Sequence, residues 1–161
     1  MPDLLIRKME PRDLPAVIAL DASSFSLPWP ESAFHFEVEK NDASRCWVAE
    51  IAADPPVLAG MMIAWLILDE LHIATFAVDP ARRRQHIGQR LLAFTLANGL
   101  EHGAQKSFLE VRRGNLAARA LYARFDYEEV GVRKKYYSDN GEDAIMLNLD
   151  PINPELLKPY L

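Results

Sequence analysis

The sequence predicts an α+β protein built on one mixed, mostly antiparallel twisted sheet with helices on both faces, and three observations support this. Strand-like apolar segments occupy residues 4–9, 45–52, 57–68, 71–78, 106–113, 127–137 and 143–149. Segments with helical spacing of apolar residues lie between them, at residues 11–25, 31–40, 87–102 and 115–125. The strand–helix–strand unit 71–113 predicts a central parallel pair with a right-handed crossover, whereas the shorter connections elsewhere predict antiparallel neighbours.

The residues between these segments fit as element boundaries. Pro11 is allowed in the first turn of a helix, the Leu-Pro-Trp-Pro run at 27–30 breaks the chain, and Asn115 is a suitable helix cap. The Asp-Asn-Gly run at 139–141 predicts the turn of a hairpin formed by 127–137 and 143–149. Because the segment after Leu149 is rich in proline, we expect one domain over residues 1–150 and an irregular tail over 151–161.

Composition limits the function classes. The 161 residues are 50% hydrophobic and 25% charged with a net charge of −5, which argues against a general nucleic-acid binder. A single cysteine, Cys46, excludes an internal disulfide and fits a reducing compartment. The chain starts without a signal-like segment, and its longest apolar run, 57–68, is too short for a bilayer. We therefore expect a cytoplasmic protein with no membrane and no direct nucleic-acid partner.

The most informative segment is the basic turn at residues 79–88, Asp-Pro-Ala-Arg-Arg-Arg-Gln-His-Ile-Gly, which joins a predicted strand to a predicted helix. Backbone N–H groups, a helix N-terminus and guanidinium groups converge there, and this is how proteins hold phosphate. An arginine cluster is most often solvated surface, but at a strand–helix junction an anion site is an equally good interpretation. The absence of a Gly-Lys-Ser/Thr or Gly-x-Gly-x-x-Gly motif leaves nucleotide triphosphatases and Rossmann dehydrogenases unsupported.

Two further residues are candidates for chemistry. Glu110 lies within an apolar strand, where a carboxylate is costly unless it is paired or faces a cleft; its alternative role is an ion pair with Arg112 or Arg133. Tyr122 falls beside the apolar arc of the helix that follows, a position also typical of a boundary tyrosine with a solvated hydroxyl. The four histidines lack metal-ligand spacing and no Gly-x-Ser-x-Gly motif occurs, so we expect no metal and no serine nucleophile.

Taken together, these segments resemble the GNAT acetyltransferase superfamily over residues 4–149, and within it the bacterial ribosomal-protein-alanine N-acetyltransferases of the RimI type. The resemblance rests on several blocks in the family's order. They are the segment around Leu-Pro-Trp at 25–34, Ala-Val-Asp-Pro at 77–80, the turn at 83–88, Leu-Glu-Val-Arg at 109–112, Asn115 with Ala-Ala at 117–118 and Ala-Leu-Tyr at 120–122, Tyr-Tyr at 136–137, and Gly-Glu-Asp-Ala at 141–144.

This resemblance implies a GNAT fold, acetyl-CoA as co-substrate without a metal, and transfer of acetyl to the N-terminal α-amine of a protein, with a ribosomal protein starting in alanine as the leading acceptor. It implies Glu110 as general base and Tyr122 as general acid toward the coenzyme thiolate. The residues that it assigns to acetyl-CoA are Phe76, Ala77, Val78, Arg83, Arg84, Gln85, His86, Ile87, Gly88 and Asn115. Those assigned to the acceptor are Trp29, Tyr136 and Tyr137.

Two residues depart from the family pattern, and three other functions stay open. His86 and Asp126 stand where the family commonly has glycine; both residue types tolerate left-handed backbone, so we expect altered rather than lost coenzyme contact at His86. The acceptor could instead be a small amine, an antibiotic or a lysine side chain, and the fold could also serve as a non-catalytic acyl-CoA-binding module. A weaker alternative is an RNA-contacting factor that uses Arg82, Arg83, Arg84, Arg112, Arg113, Lys134 and Lys135.

Overall fold

A mixed sheet of seven strands runs through the molecule, in the order β1-β2-β3-β4-β5-β7-β6. The computed structural model describes residues 3–161. Every neighbouring pair is antiparallel except β4 and β5, which are parallel, so the predicted mixed sheet with a central parallel unit is confirmed. The strands are β1 Leu4–Lys8, β2 Ser44–Ile51, β3 Val57–Ile67, β4 Glu70–Val78, β5 Lys106–Arg112, β6 Glu128–Arg133 and β7 Ala144–Leu149.

Helices cover both faces of this sheet because the apolar side chains of its central strands alternate between two cores. Met61 and Ile63 of β3 pack in a core with the first two helices, whereas Met62 and Ala64 pack in a second core with the third helix. None of the helices within residues 3–161 is long and apolar enough to cross a membrane. The helices are α1 Leu14–Ser24, α2 Glu31–Glu39, α3 Ile87–Glu101, α4 Leu116–Arg124 and α5 Pro154–Leu157, and short 3-10 turns occupy Pro11–Asp13, Pro80–Arg82 and Lys158–Tyr160.

The parallel strands at the centre of the sheet separate soon after they begin. β4 and β5 are paired only where Glu70, Leu71 and His72 face Lys106, Ser107 and Phe108. The register of β4 against β3 then shifts at Ala74, and such a bulge bends a strand. Beyond it β4 stays paired with β3 alone, so a cleft opens between the second halves of β4 and β5.

Two segments differ from the sequence prediction. The strand expected over 127–137 ends at Arg133, and residues 134–143, called here the β6–β7 loop, fold back instead of continuing the hairpin. Lys135 has a left-handed φ of 53°, and the Tyr137 N–H donates to the Glu142 carbonyl over 3.1 Å. A strand cannot run through such a bend, and the loop reaches the cleft as a result.

The tail expected to be irregular contains α5 and a 3-10 turn. The Asn153 side chain accepts a hydrogen bond from the Glu155 N–H over 3.0 Å. Pro154 occupies the first helical position, where the N–H that proline lacks would have no partner within the helix. Ile152 and Leu157 are buried in the same core as α3, and the Tyr160 ring lies 5.3 Å from that of Phe125. The prediction of an irregular tail was therefore wrong, because its apolar residues gain burial against the domain.

Candidate active site

The cleft between β4 and β5 has a volume of about 1220 Å³ and collects most of the predicted site residues. Its walls also include the start of α3, the start of α4, residues 25–29 of the loop between α1 and α2, and the β6–β7 loop. Gln85 and Tyr136 do not line it, and the half-exposed Tyr136 packs its ring edge-on against Tyr137 at 5.1 Å. The predicted residues that line the cleft are Trp29, Phe76, Ala77, Val78, Arg83, Arg84, His86, Ile87, Gly88, Glu110, Asn115, Tyr122 and Tyr137.

One end of the cleft presents a run of free backbone donors. Within residues 3–161, the N–H groups of residues 83–89 donate to no protein acceptor, and α3 begins there at Ile87 without a side-chain cap. Arg84 and His86 have left-handed φ values of 62° and 61°, which turn the chain so that successive amides can converge. Free amides, a helix N-terminus and arginine side chains together suit a diphosphate.

His86 and Asp126, which the sequence analysis singled out as departures from glycine, adopt the left-handed backbone conformation that glycine favours. His86 is left-handed at φ 61°, and its Nδ1 lies 2.8 Å from Oε1 of Gln89, which holds the ring beside the turn. Asp126 is left-handed at φ 70° and donates its N–H to the Ala123 carbonyl at the end of α4. Histidine and aspartate therefore adopt the left-handed backbone that the sequence analysis expected them to tolerate.

The walls beside this turn leave further polar groups available. Residues 76–78 pair with β3 on one edge, and their other edge faces the cleft, where β5 has diverged. Asn115 caps α4 by accepting the Ala118 N–H over 3.2 Å, as predicted, and its amide N–H₂ has no protein partner among the residues described. A Cβ on Gly88 would lie 3.3 Å from the Phe76 ring, so glycine lets α3 approach β4 closely.

Glu110 faces the cleft from β5, and its partner is His72 rather than an arginine. Glu110 Oε2 lies 3.0 Å from Nε2 of His72 on β4, and both side chains are about a fifth exposed. This hydrogen bond lowers the pKa of Glu110 below its usual range, against the opposing effect of burial. Neither Arg112 nor Arg133 hydrogen-bonds Glu110, so the predicted alternative of an ion pair with one of them was wrong.

His72 belongs to an aromatic row that crosses the sheet toward the cleft. Its ring stacks on Phe108 of β5 at 4.5 Å and lies 5.1 Å from Trp65 of β3, which in turn stacks on Trp29 at 6.4 Å. The Trp29 N–H donates to the buried carboxylate of Asp21, which fixes the loop between α1 and α2. The sequence analysis missed His72 and Trp65 as site residues because only the strand register aligns them with Glu110.

Tyr122 projects from α4 into the cleft and is far more buried than a boundary tyrosine. Its side chain is only 6% exposed, between the rings of Phe76 at 6.5 Å and Tyr127 at 5.4 Å. Its hydroxyl has no hydrogen-bond partner within the described chain. Burial strongly raises the pKa of this phenol, so the hydroxyl carries its proton over the whole physiological range.

Arg112 connects the loops that flank the other end of the cleft. Its guanidinium donates to Asp139 over 3.0 and 3.1 Å and to Glu142 over 3.2 Å, and it lies 3.9 Å above the Tyr137 ring. Ser26, from the loop between α1 and α2, donates to Asp139 and accepts from Arg112. Arg112 thus holds these two loops together at the mouth of the cleft, a role that the sequence analysis did not anticipate.

The comparisons with known proteins agree with this architecture. The model of the acetyltransferase (GNAT) family matches residues 14–127. A Bacillus subtilis relative is 34% identical over 142 residues, which are 88% of this chain and 92% of the relative. The [ribosomal protein bS18]-alanine N-acetyltransferase of Escherichia coli K12 is 32% identical over 146 residues, 89% of this chain and 95% of that protein.

A solved structure extends the match to three dimensions. The crystal structure of the ribosomal-protein-S18-alanine N-acetyltransferase from Escherichia coli superimposes with a TM-score of 0.83 at 31% identity, covering 93% of this chain and 94% of that one. No cluster of three or more His, Cys, Asp or Glu side chains that could hold a metal occurs among residues 3–161. The chain belongs to the GNAT family and is an acetyl-CoA-dependent N-acetyltransferase.

Proposed function

We propose that this enzyme acetylates the N-terminal α-amine of a protein, with the alanine of ribosomal protein bS18 as the leading acceptor. The observation that carries the proposal is the single cleft in which a run of free amides, a carboxylate and a phenol follow one another. Its volume of about 1220 Å³ exceeds the roughly 300–1,000 Å³ of an ordinary small-ligand site, leaving room for a second substrate beside the coenzyme. The names of the relatives point to the same acceptor, and a ribosomal acceptor implies a cytoplasmic enzyme.

The proposed donor site uses the chain's free polar groups. The amides of residues 83–89 hold the diphosphate of acetyl-CoA, and the free edge of residues 76–78 pairs with the amides of its pantetheine arm. The Asn115 amide reaches the same arm from α4. These contacts fix the thioester near Glu110 and Tyr122, so that the reaction becomes effectively unimolecular.

The proposed chemistry needs one group that accepts a proton and one that stabilises the leaving thiolate. Glu110 takes a proton from the acceptor ammonium, directly or through water, and the neutral amine attacks the thioester carbonyl. Tyr122 donates a hydrogen bond to the sulfur as the C–S bond breaks. The nitrogen then loses its second proton and the thiolate takes up one, so that one proton in all is released to solvent. No covalent enzyme intermediate is required.

The proton equilibrium of the acceptor favours an α-amine over a lysine. With reference pKa values near 8 and 10.4, roughly a tenth of an α-amine is neutral at pH 7, against about 0.04% of a lysine side chain. An enzyme for lysine must overcome that several-hundred-fold difference. A carboxylate whose pKa is held low by His72 is a weak base and suits the α-amine better.

The test is a pair of matched peptides incubated with acetyl-CoA and read by mass spectrometry. Both begin with alanine and contain one internal lysine, but the second has a blocked N-terminus. We expect one acetyl group on the first peptide, at the α-amine, and none on the second. Acetylated lysine in the blocked peptide, or acetylation of polyamines alone, would replace this function by one of the alternatives. Coenzyme binding without any thiol release would indicate a non-catalytic module.

The acceptor protein is tested in the same assay. Purified bS18 with its N-terminal alanine exposed is compared with bS18 that retains an initiator formyl-methionine. We expect acetylation of the first protein only. Equal modification of both, or of neither while alanine peptides react, would remove bS18 as the acceptor and leave the α-amine specificity standing.

A further inference from the structure

Two irregular loops meet at the end of the cleft away from the run of free amides. They are residues 25–29, between α1 and α2, and the β6–β7 loop. Ser26 of the first loop donates its hydroxyl hydrogen to the Asp139 carboxylate of the second, a contact called here the loop bridge. Within residues 3–161, the loop bridge and the Arg112 guanidinium make the only polar links between the two loops.

Arg112 joins both loops to the sheet. It lies two residues after Glu110 on β5 and therefore on the same face of the strand. Its Nη1 and Nη2 donate to the two carboxylate oxygens of Asp139 over 3.1 and 3.0 Å, and Nη1 also donates to Glu142 over 3.2 Å. Because Nη2 donates to Ser26 as well, over 3.3 Å, one side chain contacts both ends of the loop bridge.

The same guanidinium fixes the Tyr137 ring near Glu110. Its Cζ lies 3.9 Å from the centroid of this ring, and the Tyr136 ring packs edge-on against it at 5.1 Å. Burial raises the pKa of the Tyr137 phenol and the Glu110 carboxylate acts in the same direction, so the two groups lie within electrostatic range of each other. No residue of the described chain hydrogen-bonds the Tyr137 hydroxyl, which leaves it available to a ligand in the cleft.

These contacts require an arginine. The planar guanidinium carries five N–H donors in a fixed fork and stacks on aromatic faces, whereas a lysine ammonium carries three donors at a single nitrogen. Only the guanidinium can donate from two nitrogens to Asp139 while it lies over Tyr137. Arg113 provides a contrast, because its side chain is 55% exposed, makes one ion pair with Asp143 at 3.4 Å and does not line the cleft.

We propose that Arg112 is a positioning residue for the acceptor chain, because it holds Tyr137 and the loop bridge in place as one preformed wall for the acceptor's first residues. The inference rests on the proposed function and deepens it. The free amides take the coenzyme diphosphate at one end of the cleft, which leaves the Arg112 end for the second substrate. A preformed wall spares the acceptor the entropy cost of ordering two loops. Arg112 takes no part in bond making, so its effect falls on acceptor binding.

The test is the steady-state kinetics of Arg112→Lys with a six-residue peptide that begins with alanine, at saturating acetyl-CoA. The variant keeps the charge but loses the two-nitrogen contact with Asp139 and the stacking on Tyr137. We expect the KM for the peptide to rise at least tenfold, kcat to change less than threefold, and the Kd for acetyl-CoA, measured by calorimetry, to change less than twofold. Arg113→Lys is the matched control and keeps all three wild-type values.

A double-mutant cycle tests whether Arg112 acts through the loop bridge. Asp139→Ala removes the carboxylate that both Ser26 and Arg112 contact, so this variant alone should raise the KM for the peptide at least threefold. Arg112→Lys added to Asp139→Ala should then raise it by less than half the factor that Arg112→Lys causes in the wild type, because the two residues share one interaction.

Contrary outcomes separate the positioning role from the enzyme's function. An unchanged KM for the peptide in Arg112→Lys, a kcat that falls as far as KM rises, or fully multiplicative effects in the cycle would overturn the role of Arg112 and leave α-amine acetylation standing. A wild type that binds acetyl-CoA and acetylates no free α-amine overturns the proposed function together with this role. If Arg112→Lys does not fold, Asp139→Ala decides the question: a rise in the peptide KM at constant kcat supports the role, and an unchanged KM overturns it.

Discussion

Removal of the Tyr122 hydroxyl separates the proposed role of this side chain in catalysis from its role in packing. The ring is packed between Phe76 and Tyr127, and the hydroxyl has no protein partner within the described chain, so Tyr122→Phe leaves the packing intact and orphans no other group. We expect the free energy of unfolding to change by less than about 1 kcal/mol. The loss of one donor to a developing anion costs about 2.7–4 kcal/mol of transition-state stabilisation, so kcat should fall roughly 10²–10³-fold.

The raised pKa of Tyr122 gives this prediction a pH signature. Because burial holds the pKa of the phenol above its usual value, and a thiol has a reference pKa near 8.5, the phenol stays protonated while the thiolate forms. The hydroxyl therefore donates a hydrogen bond at every pH up to about 9. The ratio of wild-type to variant kcat should be constant from pH 6.5 to 9, and the KM for acetyl-CoA should be unchanged.

Tyr127→Phe is the matched control, since Tyr127 is as buried as Tyr122 but lies outside the cleft lining. Its hydroxyl is 2.7 Å from Oγ of the buried Ser107, which the variant leaves without a partner, so Tyr127→Phe should lose about 1–3 kcal/mol of stability and keep its turnover. Stopped-flow detection of released thiol gives kcat, and thermal unfolding gives stability. Unchanged turnover in Tyr122→Phe, or an equal loss in Tyr127→Phe, would refute the reasoning.

Two further predictions follow from the cleft walls. Gly88→Val places a side chain 3.3 Å from the Phe76 ring and pushes α3 away from β4 at an overpacking cost of about 1–3 kcal/mol, so calorimetry should show acetyl-CoA binding at least tenfold more weakly. The control is Gly131→Val in β6, where the new Cβ would lie 3.4 Å from Met146, and this variant should bind acetyl-CoA normally. Equal affinity of the two variants for acetyl-CoA would reject the proposal that the amides of residues 83–89 bind its diphosphate. Because the pKa of Glu110 is lowered in the folded state, its ionised form contributes stability that is present above the unfolded pKa of about 4.5 and is lost as the pH falls through the lower folded pKa. Wild type should therefore exceed Glu110→Gln in denaturant midpoint at pH 6, and this difference should shrink progressively as the pH falls below 4.5. A difference that persists unchanged at pH 3 would contradict the hydrogen bond between His72 and Glu110.

Features set by local sequence were predictable. The strand-to-helix turn, the Asn115 cap and the tolerance of His86 for left-handed backbone each depend on a few consecutive residues, and the structure has all three. The parallel pairing of β4 with β5 could also be predicted, because a strand, a long helix and a second strand can be connected in only a few ways.

Features set by register or by loop conformation were not predictable. The sequence places Glu110 in an apolar strand but does not say that β4 brings His72, and not Arg112, opposite it. Tyr122 was assigned to the edge of an apolar arc, yet the rings of Phe76 and Tyr127 enclose it from other elements. Strand propensity continued through residue 137, but the left-handed Lys135 and the contacts of Arg112 turn that segment into a cleft wall.

The divergence of β4 from β5 accounts for the main features of the site together. Once β5 turns away after Phe108, residues 76–78 have an edge without strand partners, and an extended ligand can supply the missing hydrogen bonds. The same divergence leaves Glu110 facing a cleft rather than a neighbouring strand, so its carboxylate can be both hydrogen-bonded by His72 and reached by an amine. A substitution that restored pairing between the second halves of β4 and β5 would therefore remove the proposed acetyl-CoA site and the proposed base at once, whereas the single-residue variants above test them separately.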